Sequence, residues 1–245
     1  MARGTLWLAP LALGLHKRRV QVVQMYRDHP GAVVGAGVGA LLGLAIGALA
    51  VVPAWILALK LVDENGAAVP ANAPMEIYER AIWRLMNTAA VRAAVKPWYG
   101  DKDKWRREIA AAVPANYREL MEAVTLHESS LNPLALAGFG VVGDPDVEEY
   151  QPIGYVEDNS SAAGPFQITR QTWNGAAPAG WPHWIAWWPP AAIRVAWQTL
   201  VQKGVLTDRE KAINSYAGGK HWAAYKAGET SGYWAYIANH GGASA

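Results

Sequence analysis

The sequence predicts a mainly α-helical protein: an N-terminal transmembrane helix, then a helical domain that carries a small β or loop insertion. Three observations lead there. No residue from Gly31 to Leu59 is charged. From residue 75 onward, apolar side chains recur at helical spacing, as in Ile77, Ala81, Ile82, Leu85, Met86 and Ala89. Residues 138–160 instead gather Asp144, Asp146, Glu148, Glu149, Glu157 and Asp158 without periodicity, the pattern of a long surface loop or a short hairpin.

Residues 1–30 form a basic arm, with His16-Lys17-Arg18-Arg19 and Arg27 ahead of the apolar run. That run, residues 31–60, exceeds the ~20 residues a helix needs to cross ~30 Å of hydrocarbon. It starts too late and runs too long for a cleaved signal peptide, whose apolar core is about 7–15 residues. The basic flank predicts a cytoplasmic N-terminus and a single-pass topology, with the C-terminal part facing the periplasm or cell exterior. Gly35, Gly39, Gly43 and Gly47 recur every four residues along the span and would let a second helix approach closely, so a homo-oligomer is an expected partner. Pro53 is placed to kink the outer end.

Residues 61–74 read as a linker containing Gly, Asn and two prolines. A helical region over 75–114 follows: Met75 to Val95 as one helix closed by Pro97 and Gly100, then a basic helix from Lys102 to Val113. In residues 115–245, Asn116 with Glu119 has the form of a capping box for a helix ending near Glu128. Thr169 opens another helix, Ala191–Lys203 and Asp208–Tyr216 give two more, and Gly204 separates those two.

Four segments stand in order within this second half. They are Leu126-His127-Glu128-Ser129-Ser130-Leu131-Asn132-Pro133, Ala162-Ala163-Gly164-Pro165-Phe166-Gln167-Ile168, Ser215-Tyr216-Ala217-Gly218-Gly219 and Glu229-Thr230-Ser231-Gly232-Tyr233. Glu128 at a helix end between Leu126 and Leu131 is the carboxylate best placed to have a raised pKa, which a proton donor to a leaving oxygen requires. The ordered set resembles the catalytic domain of the lytic transglycosylases, lysozyme-like enzymes that cut peptidoglycan, over residues 115–240. The third segment has Ala217 where that family has Asn, and the fourth has Ser231 where it has Arg.

The resemblance implies a lysozyme-like fold and a site on the matching residues. Glu128 would be the general acid and base. Ser129 would sit beside the substrate N-acetyl group, Gln167 and Tyr216 would line the sugar cleft, and Tyr233 would turn its hydroxyl toward Glu128. It implies a single-carboxylate reaction in which the sugar N-acetyl group assists and the 6-hydroxyl closes a 1,6-anhydro ring. The partner is then the peptidoglycan glycan strand, with no metal and no cofactor. Such an activity opens the wall locally, in a bacterial envelope machine or in a phage virion during genome entry. A second acid from Asp144, Asp146, Glu157 or Asp158 would make the chain a hydrolytic lysozyme instead. The changes at Ala217 and Ser231 leave an inactive glycan-binding or conduit-forming membrane protein as the other alternative.

Other chemistries find little support. The net charge of +2 gives no nucleic-acid signal. His127-Glu128 begins a zinc-protease pattern, but Leu131 stands where the second His would be. There is no cysteine, hence no thiolate metal site. The 13 Trp against 2 Phe include Trp181, Trp184, Trp187 and Trp188, which fit a core, a membrane interface or a sugar-stacking surface.

Overall fold

The structure, a computed structural model, describes residues 52–137 and 161–241. The chain divides into two units, Met1–Ile46 and Gly47–Ala245, and every described residue lies in the second. That unit is mainly helical. Its helices are α1 (Ala54–Leu57), α2 (Met75–Met86), α3 (Ala89–Val95), α4 (Lys102–Ala112), α5 (Arg118–Ser129), α6 (Arg170–Ala176), α7 (Pro189–Gln202), α8 (Arg209–Ala217), α9 (Gly219–Lys226) and α10 (Gly232–Gly241). The extended pairing among the described residues is confined to isolated antiparallel bridges. One of them, Leu136 with Ala163, joins the two ends of the expected insertion, and Ala163 bridges Ile168 just beyond it. The insertion itself, 138–160, lies outside the described residues.

The expected membrane span over 31–60 also falls largely outside them, and among the described residues no helix is long and apolar enough to cross a membrane. Its last residues differ from a continuous span. Pro53 is extended (ψ 141°), and α1 begins directly after it and lasts four residues. Ile56 is wholly buried and Val52 and Leu61 nearly so, which makes this stretch part of the domain's own core. Hydropathy reads lipid and protein interior alike, and Pro53 decides between them locally.

The stretch expected as a linker, 61–74, is docked. Val62 pairs with Ala68, and Asp63 Oδ1 accepts from the amides of Asn65 and Ala67 at 2.9 Å each. Arg170 Nη1 donates to Ala71 O at 2.9 Å and Ala73 O at 3.2 Å while its guanidinium lies over the Tyr78 ring.

Two helix boundaries depart from the sequence pattern. The apolar periodicity from 75 to 95 is broken at Asn87, because Thr88 takes the Val91 amide at 3.4 Å and starts α3. Asn116 falls in a short 3₁₀ turn (Ala115–Tyr117) without capping, and α5 starts at Arg118. The Arg118 guanidinium ties that entry to α4 by donating to Val113 O and Ala110 O, each at 3.1 Å. Asp101, Thr169 and Asp208 do cap α4, α6 and α8.

Tryptophan fills the centre. Trp105, Trp173 and Trp187 are wholly buried, Trp181 is buried, and Trp184 and Trp188 are half-buried, so the Trp-rich connection belongs to the core. Ring centroids run in sequence from Trp55 to Trp187 (6.5 Å), Trp188 (6.1 Å), Trp98 (6.1 Å) and Trp105 (5.3 Å). Two indoles satisfy their N–H groups inside: Trp105 to Trp98 O and Trp173 to Trp181 O, both at 2.9 Å. Trp105→Ala therefore removes a buried indole from α4 and is expected to cost about 3–5 kcal/mol, read as a lowered urea midpoint at unchanged slope.

Candidate active site

Helix α5 ends in a tight reversal. Ser130 (φ 55°) and Leu131 (φ 65°) are both left-handed, a conformation rare for residues with a Cβ. Their amides close the helix by bonding Leu126 O at 3.0 Å and Thr125 O at 3.4 Å. Asn132 then holds the exit: its Oδ1 accepts from the Leu134 amide at 2.9 Å and from the Tyr99 hydroxyl at 2.6 Å. The final turn of α5, which carries Thr125, Glu128 and Ser129, is fixed from both sides.

Against it lies the turn Gly164–Gln167, closed by the Gln167 amide on Gly164 O at 3.1 Å. Gly164 has φ +75°, and a Cβ there would stand 2.0 Å from Ala186 O. Only glycine fits. The turn's carbonyls then bind neighbouring side chains. Pro165 O accepts from Ser129 Oγ (2.8 Å) and Thr125 Oγ1 (3.0 Å), Phe166 O accepts from the Tyr216 hydroxyl (2.6 Å), and Gly164 O accepts from Gln167 Nε2 (2.9 Å). Ser129, Tyr216 and Gln167 thus all converge on this turn. Ser129 and Tyr216 thereby tie α5 and α8 to the turn, and Gln167 closes the turn on itself.

Tyr233, on the first turn of α10, donates its hydroxyl to Glu128 Oε1 at 2.5 Å. Burial pushes the Glu128 carboxyl up from an ordinary 4.5 to about 7, while the Tyr233 hydrogen bond pulls the other way and loses. Burial and the Glu128 charge also hold the Tyr216 and Tyr233 hydroxyls well above their usual range. One half-buried acid therefore faces two protonated phenols. Its carboxyl is poised to be an acid near neutral pH and to be stabilised by Tyr233 once it gives up the proton.

Ser231 has a definite job here. Its Oγ caps α10 by accepting the Trp234 amide at 3.1 Å, and it donates to Asn214 Oδ1 of α8. Asn214 in turn donates to Glu210 O at 2.9 Å. Both residues are buried, so the helices bearing Tyr216 and Tyr233 are locked to each other. The sequence pattern signals the cap only as a Ser before Gly-Tyr and does not signal Asn214 at all.

Three imidazoles stand around Tyr233 and Tyr236, and two of them, His221 and His240, carry no sequence signal. His127 meets the Tyr233 ring at 4.4 Å and the Tyr236 ring at 4.6 Å, His221 lies 5.5 Å from Tyr233, and His240 stacks on Tyr236 at 4.1 Å. Burial and the neighbouring His221 hold the His127 pKa below its usual value. Among the described residues no cluster of His, Asp and Glu is placed to hold a metal ion. A separate cavity of 760 Å³ opens against Glu119, Glu122 and Leu126. That face of α5 is turned roughly 150° from Glu128 at 100° per residue, so the cavity is not part of this site.

No protein-family model matches the sequence, and no curated protein or solved structure gives a match.

The raised carboxyl has a thermodynamic signature. Between pH 4.5 and about 7 the folded protein keeps a Glu128 proton that the unfolded chain releases, so stability from this group falls as pH rises through that window. Glu128→Gln cannot ionise. The variant is expected to match the parent at pH 4.5 and to exceed it at pH 8 by about 3 kcal/mol, at about 1.4 kcal/mol per pH unit between the two pKa values, a Tm gain of about 6–12 °C by calorimetry.

Proposed function

We propose that this chain is a membrane-anchored peptidoglycan lytic transglycosylase that cleaves the MurNAc–GlcNAc β-1,4 bond and leaves 1,6-anhydro-MurNAc ends. The observation that carries the proposal is Glu128, raised to about 7 and bonded by Tyr233. Support comes also from the way the four ordered sequence segments meet: Glu128 and Ser129, the Gly164–Gln167 turn, Tyr216 and Tyr233 form one hydrogen-bonded cluster.

In this mechanism the Glu128 proton passes to the glycosidic oxygen as the C1–O bond breaks, and the sugar N-acetyl oxygen stabilises the cationic carbon. The Glu128 carboxylate, held by Tyr233, then takes the proton of the 6-hydroxyl as O6 closes on C1. The acid is regenerated and no water is consumed. A paired-carboxylate hydrolysis would need a second acid facing Glu128. Asp144, Asp146, Glu157 and Asp158 lie outside the described residues.

Incubation of the protein with purified sacculi, followed by mass spectrometry of released muropeptides, tests the proposal. Anhydro ends are the expected product, and Glu128→Gln is expected to reduce their release by at least about 10³-fold. Reducing ends alone would make the chain a hydrolase, and no release by the parent would remove the enzymatic proposal. The rate should be level in mild acid and fall above about pH 7, because the acid must begin protonated. Tyr233→Phe removes the bond that lowers the Glu128 pKa, so the falling limb should move to higher pH while the maximal rate drops about 10–100-fold.

A further inference from the structure

We propose that Trp55, Leu57, Val62 and Ile77 form a lipid-contacting surface that seats the helical domain on the bilayer. The proposal rests on the reading of residues 31–60 as the membrane anchor, with its hydrocarbon-crossing part ending ahead of Pro53. Five large apolar residues among the described ones are exposed: Trp55 (44%), Leu57 (40%), Val62 (38%), Ile77 (47%) and Leu206 (45%). A single exposed apolar side chain is ordinary. Four of the five, however, fall between residues 55 and 77, two of them (Trp55 and Leu57) in the last residues of the uncharged run and two just beyond it.

Length places that stretch at a membrane surface. As a helix, Gly31–Val51 rises about 32 Å at 1.5 Å per residue, against about 30 Å of hydrocarbon. The chain would therefore leave the hydrocarbon at Pro53, where the backbone is extended and α1 begins. Trp55 and Leu57 follow within four residues, in the headgroup layer where Trp is favoured.

The exposed side chains are held rigidly. Ile56, between Trp55 and Leu57, is wholly buried, so α1 is pinned to the core through Ile56 while Trp55 and Leu57 flank it in the open. The Trp55 ring rests 6.5 Å from Trp187. Val62 is set by its bridge to Ala68, and Ile77 sits on the first turn of α2.

The local charges balance: Lys60 stands against Asp63, and Glu64 against Arg84. Asp63 spends its Oδ1 on its own loop amides, and Glu64 pairs with Arg84 at 2.7 Å. Lys60, exposed in the same stretch, has a stem long enough to keep its ammonium among headgroup phosphates.

The absence of cysteine allows a direct test on the full chain. Leu57→Cys, Val62→Cys, Ile77→Cys and Leu206→Cys are each labelled with a polarity-sensitive fluorophore. Each is reconstituted in phosphatidylglycerol/phosphatidylethanolamine vesicles with and without a spin-labelled lipid quencher. Circular dichroism and Tm confirm that each variant is folded. Labels at 57, 62 and 77 are expected to be blue-shifted and quenched at least about threefold more than the label at 206. Vesicle flotation separates the two levels of the proposal. Protein that floats while 57, 62 and 77 are quenched no more than 206 overturns the surface and leaves the anchor. Protein that does not float overturns both. Neither result touches the muropeptide assay.

Discussion

The hydrogen bond from Tyr233 to Glu128 joins two helices whose contact residues are 105 positions apart in sequence. Much of the domain serves to hold that contact. Helix α5 must stop at Ser129 so that Glu128 stands on its last turn, and α10 must begin at Gly232 so that Tyr233 stands on its first. The stop is enforced by two left-handed residues and Asn132. The start is enforced by the Ser231 cap and its bond to Asn214.

Two opposing influences meet at the carboxyl. Burial favours the neutral form, because little water is left to solvate a charge. The Tyr233 hydroxyl favours the ionised form, because a donor stabilises an anion more than a neutral acid. Burial prevails, and the result lies near 7 rather than far above it. A group balanced there can both give and recover a proton, which a one-carboxylate mechanism demands of the same residue. An acid with burial alone would donate sluggishly, and one with the phenol alone would be ionised before substrate arrived.

The sequence made the helical character legible, along with Glu128 and Tyr233 as a candidate pair. Residue type and motif order carry that much, since few side chains can protonate a leaving oxygen. Other features depend on neighbours distant in the chain. Thr88 beats the apolar periodicity around it because a side-chain oxygen can replace a helical carbonyl as partner for an amide. Ser231 reads in the sequence as a lost arginine, yet in the fold it is a buried cap. Ser129 and Tyr216 read as substrate contacts by residue type alone, and only the fold shows that they also donate to the Gly164–Gln167 turn, within which Gln167 bonds Gly164 O. Ile56 reads as lipid-facing because hydropathy does not distinguish a bilayer from a protein core. The same limit leaves the Trp-rich connection open until its rings are seen stacked inside.

Gly164 sets the tolerance of the whole assembly. The backbone of the turn passes the Ala186 carbonyl with no clearance for even a methyl group. The carbonyls that steady the acid-bearing helix are therefore referenced to the tryptophan core beneath, with one peptide plane acting as a stop. A shift of the core travels upward undamped, and the acid cannot drift by itself. Variation at the rim is cheap for this protein, whereas repacking under Ala186 changes the reach of Glu128.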